Sequence, residues 1–133
     1  MPEADAPVAP LRRRWRSRRY TVVDDSMRPS LEPGDRLLVD PVPVRAGLPP
    51  VGAIVVLRDP EMPTRALVKR VAARDAGADR VTVLGDAGGA SRDSRSFGDI
   101  PRADLIGIAW FRYLPGPRRG SLGAIAPAET PKP

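Results

Sequence analysis

Short apolar runs of strand length, turn signals spaced between them, and the lack of any ten-residue helical period in the body of the chain predict a mainly β domain, a small barrel or sandwich. The first predicted strand, Tyr20–Val23, ends at Asp24-Asp25. Glu32-Pro33-Gly34-Asp35 then places proline and glycine where a type II turn needs them, and leads into a strand at Arg36–Val39. Ala53–Leu57 is a continuous apolar run. Leu67–Ala73 and Arg80–Leu84 flank Asp75-Ala76-Gly77-Ala78-Asp79, which reads as a hairpin loop. Leu105–Tyr113 is the last strand, and no internal repeat is present.

At 133 residues there is room for one domain with two tails. Residues 20–114 hold all six strands. Residues 1–19 form a basic, Pro- and Ala-rich arm expected to be disordered, with a hint of helical period only at 11–19, and residues 115–133 are expected to be a disordered tail. The formal charge of +6 equals the arginines at 12, 13, 14, 16, 18 and 19, so the basic character belongs to the arm. Such an arm suits RNA, DNA or anionic lipid, with Trp15 as a stacking or interfacial side chain; Arg12–Arg19 is the candidate membrane contact, and no nucleic-acid partner is expected. No apolar run approaches a membrane span, and the arm leads into no apolar signal segment, so a soluble, cytoplasmic protein is expected.

The chain has no cysteine and no histidine, which removes disulfides, thiol nucleophiles, Cys/His zinc sites and the Ser-His-Asp triad. A hydrolase built from this sequence takes its base from a carboxylate, a lysine or an amino terminus. Lys69 stands out as a base, because twenty arginines carry the positive charge and the other lysine, Lys132, lies in the tail. Guanidinium keeps its proton at any working pH, whereas an ammonium in apolar surroundings can lose one. On a strand, Lys69 shares a face with Leu67 and Val71, opposite Val68, Arg70 and Ala72.

A nucleophile is available at Ser26, where a strand exit runs into a turn with free backbone N–H groups. Alone, a serine after two aspartates is a common turn or cap residue. Three segments together say more: Ser26-Met27-Arg28-Pro29-Ser30-Leu31, Val68-Lys69-Arg70-Val71, and residues 85–101 with Gly85-Asp86, Ser91-Arg92-Asp93-Ser94-Arg95 and Gly98-Asp99-Ile100-Pro101. In order, spacing and residue type they resemble the boxes of type I signal peptidases and their relatives.

The resemblance implies a small coiled β-barrel of the signal-peptidase and SOS-repressor-protease type. It implies a serine endopeptidase with a Ser/Lys dyad: Ser26 as nucleophile, Lys69 as base, Ser91 orienting the lysine, Asp93 and Arg95 as a supporting ion pair, and the backbone N–H of Ser26 in the oxyanion hole. No metal or other cofactor is implied. The partner is a precursor protein whose amino-terminal leader lies extended in the site. The small size, the lack of an amino-terminal anchor and the ending Trp110–Arg119 look like the branch that matures nickel-type superoxide dismutase, which makes that dismutase's precursor the expected substrate. A general signal peptidase of secreted preproteins is the alternative.

Two further departures from the family pattern bear on chemistry. Asp24 stands two residues before the nucleophile, where many members place a hydroxyl, and a carboxylate there repels an oxyanion. Ala87 replaces the usual asparagine, and only 42 residues separate Ser26 from Lys69, too few for a large second β-domain.

A self-cleaving SOS-type peptidase uses the same residue pair. Against it, 25 residues before Ser26 are too few for a helix-turn-helix domain, and the Ala-Gly dipeptides at 46–47, 76–77 and 87–88 all follow the nucleophile. A nucleic-acid module is disfavoured too, since six aromatics form no stacking platform on an interior strand.

Overall fold

The computed structural model describes residues 11–88 and 92–122. One antiparallel sheet is built from β1 (Arg18–Thr21), β2 (Arg36–Asp40), β3 (Ile54–Arg58), β4 (Ala66–Asp75), β5 (Arg80–Leu84), β6 (Ile100–Pro101), β7 (Leu105–Leu114) and β8 (Gly120–Ser121). Its order is β1-β2-β7-β3-β4-β5-β6. β3 pairs with the first half of β7, and β8 pairs with Phe111 and Arg112 further along it. Three short α-helices, α1 (Leu11–Arg16), α2 (Pro43–Ala46) and α3 (Ser94–Phe97), and two 3-10 turns, Arg102–Asp104 and Gly116–Arg118, complete the described elements.

The mainly β expectation holds, with every predicted strand observed within two or three residues of its place. The coiled barrel is less complete than expected. β1 and β6 at the two ends of the order are not paired with each other, so the sheet is open among the described residues. The end strands have four and two residues, too little ladder to close a barrel. A side chain links β1 to β4 instead, where Tyr20 Oη donates to the Ala66 carbonyl over a long 3.5 Å.

Sequence and packing meet most clearly in β3. Its residues are buried on both faces: Val55 and Leu57 join Leu67, Val71, Val81 and Val83 in one core, while Ile54 and Val56 join Val68, Val39 and Ala109 in another. A strand covered on both sides needs a continuous apolar run and no alternation. Val44 of α2 and Phe97 of α3 cover the first core. Val22, Met27 and Leu31, from the segment after β1, cover the second.

Gly107 is required by a close approach. A Cβ there would lie 2.6 Å from the Asp40 carbonyl oxygen, a backbone atom that has nowhere to move. The glycine lets β7 cross β2 beside the irregular register at Leu38/Val39.

The arm and tail boundaries need correction. The expected border at 19/20 falls inside β1, and α1 is docked on the sheet. The buried Asp40 carboxylate accepts from Arg13 Nε at 2.7 Å and from Arg16 Nε and Nη2 at 2.9 and 2.7 Å. Ser17 Oγ accepts from Trp110 Nε1 at 2.9 Å and donates to the Arg13 carbonyl at 2.8 Å. At the other end, residues 115–122 contribute a 3-10 turn and β8, with Arg118 paired to the buried Asp35. Residues 1–10 and 123–133 lie outside the described residues.

Candidate active site

The segment that carries Ser26 is held by its own backbone and by two carboxylates. Val22 N–H donates to the Asp35 carbonyl at 2.9 Å, and Gly34 N–H returns to the Val22 carbonyl at 2.7 Å. The predicted turn is present: Asp35 N–H donates to the Glu32 carbonyl at 3.0 Å, and Gly34 has φ +95°, the value that only glycine takes without strain. Met27 and Leu31 are fully buried beneath the segment and pin Ser26, itself 9% exposed, against the sheet.

Lys69 sits on β4 opposite Val55 of β3. Period-two alternation places it with Leu67 and Val71, as the sequence pattern predicts, and the side chain is 2% exposed. It makes no ion pair among the described residues. Burial pushes its amine below the ordinary lysine value; the Asp24 and Asp93 carboxylates pull the other way, while Arg92 and Arg95 add to the depression.

Ser26 and Lys69 line one cleft of about 230 Å3, whose other walls include Asp24, Arg65, Leu67 and Arg92. A buried amine whose proton is made easier to lose, sharing a cleft with a hydroxyl, is placed to accept that hydroxyl's proton. Arg92 contributes less charge than its position suggests, being held by Asp59 and Glu61, each at 2.6 Å.

The clasp that brings the hydroxyl segment to the amine strand is not visible to sequence reasoning. Arg70, the neighbour of Lys69 on the opposite face, donates to Asp86 through Nε at 2.9 Å and Nη2 at 2.8 Å, and to the Gly52 carbonyl at 2.8 Å. Ser30, four residues after Ser26, donates to the same Asp86 carboxylate at 2.6 Å. Ala87 N–H also donates to the Ser26 carbonyl at 2.9 Å. The available signal is Arg70 itself, a charge inside an apolar run that needs a partner when half-buried.

Asp93 is fully buried. It caps α3 by accepting from Arg95 N–H at 3.1 Å, accepts from Gly85 N–H at 2.9 Å, and takes two guanidinium bonds from Arg95 at 3.0 and 2.6 Å. The Arg95 side chain, opposed by burial and helped by the two amides, holds the Asp93 carboxyl down at about 2 against an ordinary 3.8. A lowered carboxyl pKa stabilises the fold above the ordinary value, and that contribution disappears as pH falls through 3.8 towards 2. Asp93→Asn should therefore be less stable than the parent at neutral pH, with the gap shrinking by about 2 kcal/mol across that window in urea titrations. A gap independent of pH would remove Asp93 from that role. Ser91, the third orienting candidate, lies outside the described residues.

The Asp24 carboxylate turns onto the Ser26 backbone. Its Oδ1 accepts from the Ser26 N–H at 3.1 Å, so the carboxylate holds the donor expected in the oxyanion hole.

The family model described as signal peptidase, peptidase S26, matches residues 8–77, just over half of the chain. The chain belongs to the peptidase S26 family. It is 31% identical, over an alignment 153 residues long with gaps included, to a probable signal peptidase I-1 of Synechocystis sp. (strain ATCC 27184 / PCC 6803 / Kazusa), covering 82% of this chain and 78% of the relative. It is 33% identical over 119 residues to the mitochondrial ATP-independent inner membrane protease subunit 1b of Arabidopsis thaliana, covering 74% and 70%. Membership makes this S26 chain a signal peptidase I-like serine peptidase acting on protein. No helix among its described residues is long and apolar enough to cross a membrane.

Proposed function

We propose that the chain is a serine endopeptidase working through Ser26 and Lys69, which removes the amino-terminal leader of a precursor protein in the cytoplasm. The observation that carries this reading is the buried Lys69, without an ion pair among the described residues, in the same cleft as Ser26. Neutral Lys69 takes the proton of Ser26 Oγ as that oxygen attacks the scissile carbonyl carbon. The resulting ammonium gives the proton to the leaving amine nitrogen as the C–N bond breaks, leaving an ester on Ser26. Lys69 then deprotonates a water, which attacks the ester; the acyl–oxygen bond breaks and Ser26 recovers its proton. Ser91 would orient the amine, and Asp93 with Arg95 would hold the loop that bears it.

The substrate proposed is the precursor of a nickel-type superoxide dismutase, supported by the short span between Ser26 and Lys69 and by the ending Trp110–Arg119. The name of the Synechocystis relative favours a second reading, a general signal peptidase of secreted preproteins. Incubating the protein and its Ser26→Ala variant with each kind of precursor, and reading the new amino terminus by mass spectrometry, separates the two. Cleavage of the dismutase precursor by the parent alone supports the first; cleavage only of an Ala-x-Ala secretory leader supports the second; cleavage by Ser26→Ala overturns both.

A further inference from the structure

We infer that the face formed by α1 and the distal half of β7 is a binding site for phosphate headgroups of an anionic lipid surface. A concavity of about 500 Å3, larger than the Ser26 cleft, opens there between Arg14, Trp15, Arg19, Phe111, Tyr113 and Arg119. Among the described residues, no acidic side chain lines it.

The arginines of this region divide into two groups with different roles. Arg13 and Arg16 are spent on Asp40, and Arg112 and Arg118 on Asp35, so each buried carboxylate is outnumbered two to one. Arg12, Arg14, Arg18, Arg19 and Arg119 have no carboxylate within ion-pair distance among the described residues. At about 100° per residue, the pair that docks α1 falls on one side, and Leu11, Arg14 and Trp15 fall on the other. Docking the helix by its own arginines thus turns an apolar and cationic stripe outward: Leu11 is 59% and Trp15 78% exposed.

Outward tryptophan and leucine flanked by guanidinium groups are the side chains of an interfacial helix, the ring at headgroup depth and the cations on phosphate. Nucleic acid fits less well. Arg19 lies over the Tyr113 ring at 5.9 Å and Arg119 over Phe111 at 5.7 Å, so those ring faces are covered and Trp15 alone is open to a base. The same stacking holds two guanidinium groups at the rim, where a phosphate would meet them already placed. This site is independent of the proteolytic reading, since it uses neither Ser26 nor Lys69.

The test is sedimentation of the full chain with vesicles of phosphatidylcholine, alone or mixed with phosphatidylglycerol, in low and raised salt. Binding to the mixed vesicles only, weakened by salt, is expected. Each of Arg14→Gln, Arg19→Gln and Arg119→Gln should lower partitioning about fivefold, and the three together on the order of a hundredfold, while the distant Arg74→Gln leaves it unchanged. Trp110 is buried, so a blue shift of tryptophan emission on binding reports Trp15, and Trp15→Phe should abolish it. Equal binding to neutral vesicles, indifference to the three arginines, or an emission change with inorganic phosphate or RNA but not with vesicles would each overturn the assignment.

Discussion

Lys69→Met should lose about a thousandfold or more in turnover of a cleavable precursor while melting at or above the temperature of the parent. A positioned general base is worth on the order of a hundred- to ten-thousandfold, and methionine has none to offer. Stability moves the other way because the native amine is buried without an ion pair among the described residues, and exchanging it for a thioether of similar length removes a polar group from an apolar face. Lys69→Arg should be equally inactive, since a guanidinium keeps its proton, but less stable for being charged and larger. The parent's rate should rise with pH to an inflection below that of free lysine, about 10.4. Full activity in Lys69→Met would leave Ser26 needing another base.

Asp24→Ser should be faster than the parent, by about tenfold or more in kcat, with its rate inflection displaced to lower pH. Both effects have one origin. The Asp24 carboxylate accepts the Ser26 N–H; with that N–H in its proposed place in the oxyanion hole, an incoming oxyanion must displace a negative charge from it, and one oxyanion donor is worth about a hundred- to a thousandfold. The same carboxylate helps keep Lys69 protonated. Serine removes the charge and supplies a hydroxyl donor. Kinetics from about pH 6 upwards would show the rise and the displacement together. A slower Asp24→Ser enzyme would mean that the carboxylate serves the substrate.

The catalytic candidates are legible in the sequence because their signals are local. Alternation across Leu67, Lys69 and Val71 fixes which side of β4 the amine faces, and a lone interior lysine among arginines marks it. The turn at Glu32–Asp35 is likewise encoded in four consecutive residues. What escapes is long range. Composition sees a run of arginines at 12–19, but not that Asp40, across a loop and a strand, takes two of them and folds the arm onto the sheet. β6 and β8 have two residues each and exist only because a neighbour offers an edge. Asp24 is recognisably awkward for an oxyanion, yet its bond to the Ser26 amide is a matter of rotamer, which no pattern of residues records.

The three-way bond of Asp86 with Arg70 and Ser30 has a consequence for how this enzyme could evolve or be tuned. The Ser26 segment and the strand that bears Lys69 are tied together by a strut outside the cleft they line, on the reverse side of β4. With Ser26 and Lys69 in their proposed roles, lengthening or shortening that strut should adjust proton transfer between them without altering either side chain.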